Sequence, residues 1–158
     1  MGRSRAAAVA GARRVLVERG VRKTTMGEVA VRGGLAKATL YNHVRTKDEL
    51  LALVVADGVE RVRAAATAAL GTGELAAGLV AASAELAGDE VLIALRRTEP
   101  TALLPLAAPG DGPGWDQVRA ATSELLAAGG RTPDPASVDL TLRWLVSHVL
   151  SPGRPAER

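Results

Sequence analysis

The sequence of 158 residues contains no cysteine. This absence excludes a disulfide framework, cysteine-ligated zinc, iron–sulfur clusters and thiol catalysis, and it fits a reducing compartment. Long apolar runs are also missing: the longest covers residues 50–56, whereas a bilayer-spanning helix needs roughly 20 residues. The short alanine-rich stretch after Arg3 and Arg5 is soon interrupted by Arg13 and Arg14, which does not fit a signal peptide. We therefore expect a cytoplasmic protein that does not enter a membrane.

Aromatic residues are equally scarce. There is no phenylalanine, and the only aromatic side chains are those of Tyr41, Trp115 and Trp144. Alanine, the strongest helix former, occurs 31 times, so the composition predicts an all-α fold. The core has to be built from leucine, valine and alanine, which bury less area per side chain than aromatic residues do. A thin core of this kind favours a partner subunit.

Charge is distributed unevenly along the chain. Residues 1–50 contain 11 Lys and Arg against 4 Asp and Glu, a balance of +7. Residues 51–158 contain 9 against 13, a balance of −4. A basic head on an acidic body points to an anionic polymer as partner, with nucleic acid as the first candidate. The alternative is a solvated helix surface that happens to be basic.

Apolar residues at helical spacing predict three short helices and then a long one in the first 70 residues. They are expected at about residues 5–19, 25–33, 37–44 and 46–70. Gly20 supplies the cap of the first helix. Thr25 and Thr46 each begin a capping-box pattern, with a glutamate three residues later. The second and third helices are joined by a tight glycine-containing turn.

Beyond residue 71 the pattern predicts further helices, the last at about residues 135–150. This last helix is apolar around most of its circumference, with one narrow polar stripe formed by Asp139, Arg143 and Ser147. A helix of this kind is normally covered on more than one side. We expect a partner subunit to supply the second cover; the alternative is the central helix of a monomeric core.

The segment 24–51 combines two short helices with a glycine-containing turn, which is the helix-turn-helix arrangement. In that arrangement the second helix enters the major groove with its first residues facing base edges. Lys37 is suited to a phosphate or a guanine edge, Ala38 to close approach and a thymine methyl group, and Asn42 to a base edge. The pattern therefore predicts direct reading of DNA sequence.

Other side chains of this segment suit the phosphate backbone. Thr39, Tyr41 and His43 offer hydroxyl and imidazole donors. Lys47 lies at the start of the long helix, where free N–H groups and the helix dipole favour a phosphate. Each of these residues, taken alone, has an ordinary packing or surface role. Their joint arrangement is specific, and it predicts a DNA-binding head.

The segment resembles the DNA-binding head of TetR-family transcriptional regulators over about residues 5–55. The family pattern has a threonine opening the second helix, an aliphatic–alanine pair, a glycine turn, a Thr-aliphatic-Tyr run, an aromatic residue and a Lys-acidic-x-Leu run. It is met by Thr25, Val29-Ala30, Gly34, Thr39-Leu40-Tyr41, His43 and Lys47-Asp48-Glu49-Leu50. The resemblance places Thr25 among the expected DNA contacts.

Three positions of the head depart from this pattern. Ala36 replaces the usual serine, so the third helix lacks a side-chain N-cap, at a cost of about 1 kcal/mol. Gly33 replaces the usual alanine and is expected to add backbone freedom. Val44 replaces the usual phenylalanine and removes buried area.

The resemblance implies a helix-turn-helix domain at residues 1–46 and a helical regulatory and dimerisation domain at residues 47–158, which is unusually short. It implies a homodimer that binds a palindromic operator on double-stranded DNA, most often as a repressor. A small molecule that enters the body is expected to release the operator. No cofactor or metal is expected. Trp115, Trp144 and His148 are candidates for a ligand cavity, although tryptophan at helical spacing is more often a core residue.

Two alternatives to a regulator follow from the residues. Ser83, Asp139 and His148 are the residue types of a hydrolase triad, but no GxSxG elbow surrounds a serine, and two histidines without HExxH do not suit a catalytic metal. We therefore do not expect an enzyme. The second alternative is a protein-interaction or dimerisation module with a degenerate DNA-binding head, which Ala36 and the short body favour.

Overall fold

The computed structural model describes residues 2–71, 74–111 and 113–152. These ranges contain helices and no strand, so the all-α prediction is confirmed. The helices are α1 (Arg3–Lys23), α2 (Met26–Arg32), α3 (Lys37–His43), α4 (Lys47–Leu70), α5 (Leu75–Gly88), α6 (Glu90–Thr98), α7 (Leu104–Ala107), α8 (Pro113–Ala128) and α9 (Pro135–Leu150). A 3₁₀ turn at Pro100–Leu103 precedes α7. A three-helix head is thus joined by the long α4 to a helical body.

Helix α1 is interrupted at Gly20. Its dihedrals, φ 75° and ψ 179°, belong to a region that is essentially restricted to glycine. The first helical run therefore stops where the sequence predicted, near residue 19, and helical backbone resumes after Gly20 as far as Lys23. The buried Thr24 completes the turn, since its hydroxyl donates to the carbonyl of Gly20 at 2.7 Å.

The turn between α2 and α3 is closed by two backbone hydrogen bonds. The Leu35 N–H donates to the Ala30 carbonyl at 2.8 Å, and the Gly34 N–H donates to the Val31 carbonyl at 3.1 Å. This is the Schellman pattern, and Gly34 has the positive φ of 64° that the pattern requires. The predicted glycine turn is therefore present, and it fixes the angle at which α3 leaves α2.

Gly33 has a role different from the expected backbone freedom. Its dihedrals are ordinary for a helix end, φ −85° and ψ −4°. A Cβ at this position would lie 2.6 Å from the carbonyl oxygen of Ala7 in α1. The glycine is therefore required by the close approach of two helices, and the sequence-based interpretation was wrong on this point.

One apolar cluster extends from the head into the body. Leu16 of α1, Leu40 of α3 and Leu50 of α4 share this cluster with Leu95 of α6 and Val149 of α9. The head and the inner part of the body thus pack around one shared apolar cluster. The boundary between residues 46 and 47 stays a prediction.

The outer part of the body has a thinner core. Its cluster is built on Ala66 of α4, Ala82 of α5 and Leu145 of α9, so two of these three positions are alanines. This agrees with the composition, because alanine contributes little buried area.

No helix in the described ranges is long and apolar enough to cross a membrane.

Candidate nucleic-acid interface

Helix α3 shows one side to the core and the other to solvent. Leu40 is fully buried, and Val44, which follows the helix, is buried with it. The opposite face carries Lys37, Ala38, Tyr41 and Asn42, all exposed, with His43 exposed beside them and Thr39 half-buried. Five of the six predicted contacts on α3 are therefore accessible on a helix that Leu40 and Val44 anchor.

Thr25 and Lys37 line the same surface depression, which has a volume of about 460 Å³ and lies between α1, α2 and the start of α3. The Lys37 side chain passes beside Gly27, where a Cβ would lie 3.5 Å from Lys37 Cε, an ordinary van der Waals distance. The stem of Lys37 thus crosses the first turn of α2. The structure brings together two predicted DNA contacts that are 12 residues apart in the sequence.

The Thr25 hydroxyl is committed to capping α2. It accepts a hydrogen bond from the Glu28 N–H at 3.3 Å and donates to the Glu28 carboxylate at 3.0 Å. The predicted cap is therefore present, with a side-chain bond in place of the expected return bond to the backbone. A phosphate contact by this hydroxyl would have to share it with Glu28.

Lys47 stands at the first position of α4, and its side chain already has a partner. Its Nζ donates to the carbonyl oxygen of Arg22 at 3.3 Å, so it joins the start of α4 to the end of α1. Thr46 caps α4 by accepting from the Glu49 N–H at 3.1 Å. The Glu49 carboxylate accepts a hydrogen bond from the N–H of Arg45 at 2.7 Å. A capping box would have the N–H of Thr46 as the donor, one residue later.

Three cations next to these helix caps were not identified from the sequence. Arg22, Lys23 and Arg45 are exposed, and their side chains have no ion pair or hydrogen bond in the part of the chain that the structure describes. Some other arginines of the head are engaged in ion pairs, as in Arg19–Glu28 and Arg32–Glu18. The available signal was positional, since Arg22 and Lys23 closely precede the cap Thr25 and Arg45 directly precedes Thr46.

The expected ligand residues do not come together as one group. Trp144 and His148 are in contact, with ring centroids 4.7 Å apart and planes at 68°. Trp115, on α8, lies instead beside Gly110. A second surface depression of about 330 Å³ lies between α1 and Glu90, and neither depression is lined by these three residues. Their role in ligand binding stays a prediction.

The residue types of a hydrolase triad make other contacts. The Ser83 hydroxyl donates to the Val80 carbonyl at 2.9 Å, and Asp139 accepts from Arg143 at 2.6 Å. His148 Nδ1 lies 2.9 Å from the carbonyl oxygen of Trp144. Each of these contacts joins residues that are three or four positions apart in the sequence, as is usual for side chains on one helix.

Residues 8–54 match the model of a known family, described as bacterial regulatory proteins, tetR family. The matched range extends from α1 into α4 and includes α2, α3 and the turn between them. No curated protein and no solved structure matches the chain. The match confirms the resemblance noted in the sequence and supports a DNA-binding transcriptional regulator.

Proposed function

We propose that this chain, a DNA-binding transcriptional regulator with a tetR-family head, is a homodimeric repressor that a small molecule releases from a palindromic operator. The observation that carries the proposal is the exposed face of α3, which presents Lys37, Ala38, Tyr41 and Asn42 from a helix-turn-helix. A helix of this kind fits the major groove, where amide and cationic side chains distinguish base edges.

The surroundings of α3 support a phosphate-binding role. Lys47 and the unpaired cations Arg22, Lys23 and Arg45 flank the helices that carry the predicted base contacts. Cations that release condensed counterions make binding fall steeply as salt rises. We therefore assign base reading to Lys37, Ala38 and Asn42 of α3. Phosphate contacts are assigned to the other predicted residues of the head and to the cations around α3.

A second copy of the chain is the proposed partner of α9. Leu140 is 71% exposed and Trp144 is 42% exposed, and Leu150 is also exposed on this last helix. Leu140 and Trp144, four residues apart, lie on one face of α9, and large apolar side chains grouped in this way favour an interface. Two identical heads related by a two-fold axis require two half-sites related by the same symmetry, which is why the operator is expected to be palindromic.

Release by a small molecule rests on the connection between body and head. Helix α4 begins beside the α1 end at Lys47 and continues to Leu70 in the body. A ligand that binds one position of α4 more tightly than another would shift the population of head positions. Trp115, Trp144 and His148 remain the candidates for its binding site.

The proposal is tested by fluorescence anisotropy with a labelled duplex from the DNA upstream of the chain's own gene. An unrelated duplex of equal length and base composition is the reference. We expect tighter binding to the upstream duplex than to the reference, weakening as salt rises, and weaker binding to the upstream duplex in Tyr41→Ala. Leu104→Ala, which truncates an exposed side chain of the body, is the matched control and should bind normally.

A protein-interaction module with a degenerate head is supported by one observation. Helix α3 has no side-chain cap, because its N-cap is Ala36. This reading predicts a dimer with equal, weak affinity for both duplexes. The Tyr41→Ala variant would then behave as the wild type does.

A further inference from the structure

Helix α6 of the body is attached to α1 of the head at both of its ends. At its start the carboxylate of Asp89, the N-cap, accepts a hydrogen bond from Arg13 at 2.9 Å. At its end the carboxylate of Glu99, the C-cap, accepts from the backbone N–H groups of Val21 at 3.1 Å and of Arg22 at 3.2 Å. The second attachment joins residues that are 77 or 78 positions apart, and it uses main-chain donors.

Gly20 makes room for the Glu99 carboxylate. A Cβ at Gly20 would lie 2.8 Å from the carboxyl carbon of Glu99, closer than real contacts allow. The dihedrals of Gly20 also turn the two following N–H groups away from the helix ladder and toward the body. Two successive N–H groups that converge on one anion form a strong, geometrically defined site. Here the anion is a side chain of the same molecule.

The segment held by Glu99 lies next to the candidate DNA interface. Arg22 is tied on both sides, because its N–H donates to Glu99 and its carbonyl accepts from Lys47. Thr25, the cap of α2, follows three residues later. The position of α2, and through the turn at Gly34 that of α3, therefore depends on a carboxylate that the body supplies.

We propose that Glu99 is a positioning residue for DNA binding: its contact with the Val21 and Arg22 N–H groups sets where the body holds the helix-turn-helix. This inference rests on the proposed function. Charge alone predicts the opposite sign of effect, since removing a carboxylate beside a basic surface should strengthen binding to phosphates. The sign of the change in affinity therefore distinguishes positioning from simple electrostatics.

The first test compares Glu99→Ala and Glu99→Gln with wild type by anisotropy, using the upstream duplex and the unrelated duplex. Glu99→Ala should weaken binding to the upstream duplex about tenfold, because charge-assisted bonds that order the head are lost. Glu99→Gln keeps one accepting oxygen, so its affinity for the upstream duplex should lie between those of Glu99→Ala and the wild type. Binding to the unrelated duplex should not weaken, since it depends on charge rather than head position.

Glu90→Ala is the matched control. Glu90 is an exposed carboxylate in the first turn of the same α6, and no hydrogen bond from the head reaches it among the described residues. Its removal deletes the same charge and should leave the preference for the upstream duplex unchanged. If Glu99→Ala binds the upstream duplex as tightly as Glu90→Ala does, or more tightly, the inference is overturned.

A second measurement separates this inference from the proposed function. Hydrogen exchange on the full DNA-free chain should show the Val21 and Arg22 amides protected in wild type and exchanging about tenfold faster in Glu99→Ala. Equal rates overturn the inference whatever the DNA result. A wild type without duplex preference contradicts the proposed function alone, because the exchange result still stands. If circular dichroism shows that Glu99→Ala has lost helix, the inference is tested instead by comparing the upstream-duplex affinity of Glu99→Gln with that of Glu90→Ala.

Discussion

Gly11 of α1 and Gly33 at the end of α2 face each other so closely that neither position has room for a side chain. A Cβ at Gly11 would lie 2.7 Å from the backbone nitrogen of Gly33 and 2.5 Å from the carbonyl oxygen of Val29. The head has one aromatic residue, Tyr41, and that residue is exposed. Its core is therefore built from aliphatic side chains and from close backbone approach at these glycines, since dispersion contacts depend on short separations.

The first prediction concerns this helix crossing. Gly11→Ala should lower the free energy of unfolding by about 1–3 kcal/mol, because the added methyl group meets backbone atoms that cannot rotate away. Gly58→Ala in α4 is the control: a Cβ there meets only the Arg61 guanidinium at 3.8 Å, so the variant should gain up to about 1 kcal/mol. Urea denaturation of both variants measures the difference. Equal effects of the two substitutions would contradict the crossing.

The second prediction concerns the pH dependence of stability through Asp89. Burial opposes ionisation of this carboxyl, but hydrogen bonds from Arg61, the Leu92 N–H and Arg13 outweigh it and hold its pKa below the ordinary value. Arg61 also pairs with Glu85, so the site joins α1, α4, α5 and α6. A lowered folded-state pKa gives stability that is present above the unfolded pKa of about 3.9 and is lost as pH falls through the folded pKa.

The free energy of unfolding at several pH values between 7 and 3 tests this account in wild type and Asp89→Asn. The wild type should be the more stable protein at pH 7. The difference should shrink below about pH 4, because the wild-type carboxyl then takes up a proton on unfolding. A difference that stays constant over this range would mean that the ionised carboxylate is not what stabilises the site.

The third prediction concerns self-association through α9. Leu140→Glu places a charge on the exposed apolar face and should raise the dimer dissociation constant about thirtyfold or more, as for a central interface residue. Sedimentation at several protein concentrations measures it. Val31→Glu introduces the same charge at a position of the head that is 76% exposed and should have no effect. If the dimer persists in Leu140→Glu but dissociates in Val31→Glu, the interface lies on the head and not on α9.

The fourth prediction concerns Lys47. Lys47→Ala should weaken binding to every duplex and reduce the slope of log affinity against log salt by about one, as expected for one lost phosphate contact. Arg97→Ala is the charge-matched control, because Arg97 is an exposed body cation with no partner in the described part of the chain. Anisotropy over a salt series measures both. If the slope of log affinity against log salt is unchanged in Lys47→Ala, Lys47 does not contact a phosphate and its role is the hydrogen bond to the Arg22 carbonyl.

Local sequence signals predicted most of the head. Thr25, Thr46 and Gly34 occupy the cap and turn positions that their side chains or backbone freedom suit, and the structure places each as expected. Such signals act over three to five residues and are therefore visible in one dimension. The alternation of Leu40 with exposed neighbours likewise revealed which side of α3 is free.

Long-range relationships were not predictable in the same way. Glu99 is one of many carboxylates of an acidic body, and nothing near it in the sequence indicates that it accepts from backbone donors in α1. Gly33 was assigned backbone freedom, whereas its partner is a carbonyl in another helix. Both relationships depend on how helices cross, which apolar periodicity restricts only to classes of packing angle.

A hydroxyl-radical footprint of the upstream DNA tests the central claim most directly, because it reports DNA contact and symmetry together. Two identical heads that each insert α3 into the major groove should protect two patches, related by a dyad and separated by about 10 base pairs or a multiple of this. The same DNA mixed with Tyr41→Ala should show neither patch. Uniform or absent protection by the wild-type chain would contradict a sequence-reading homodimer.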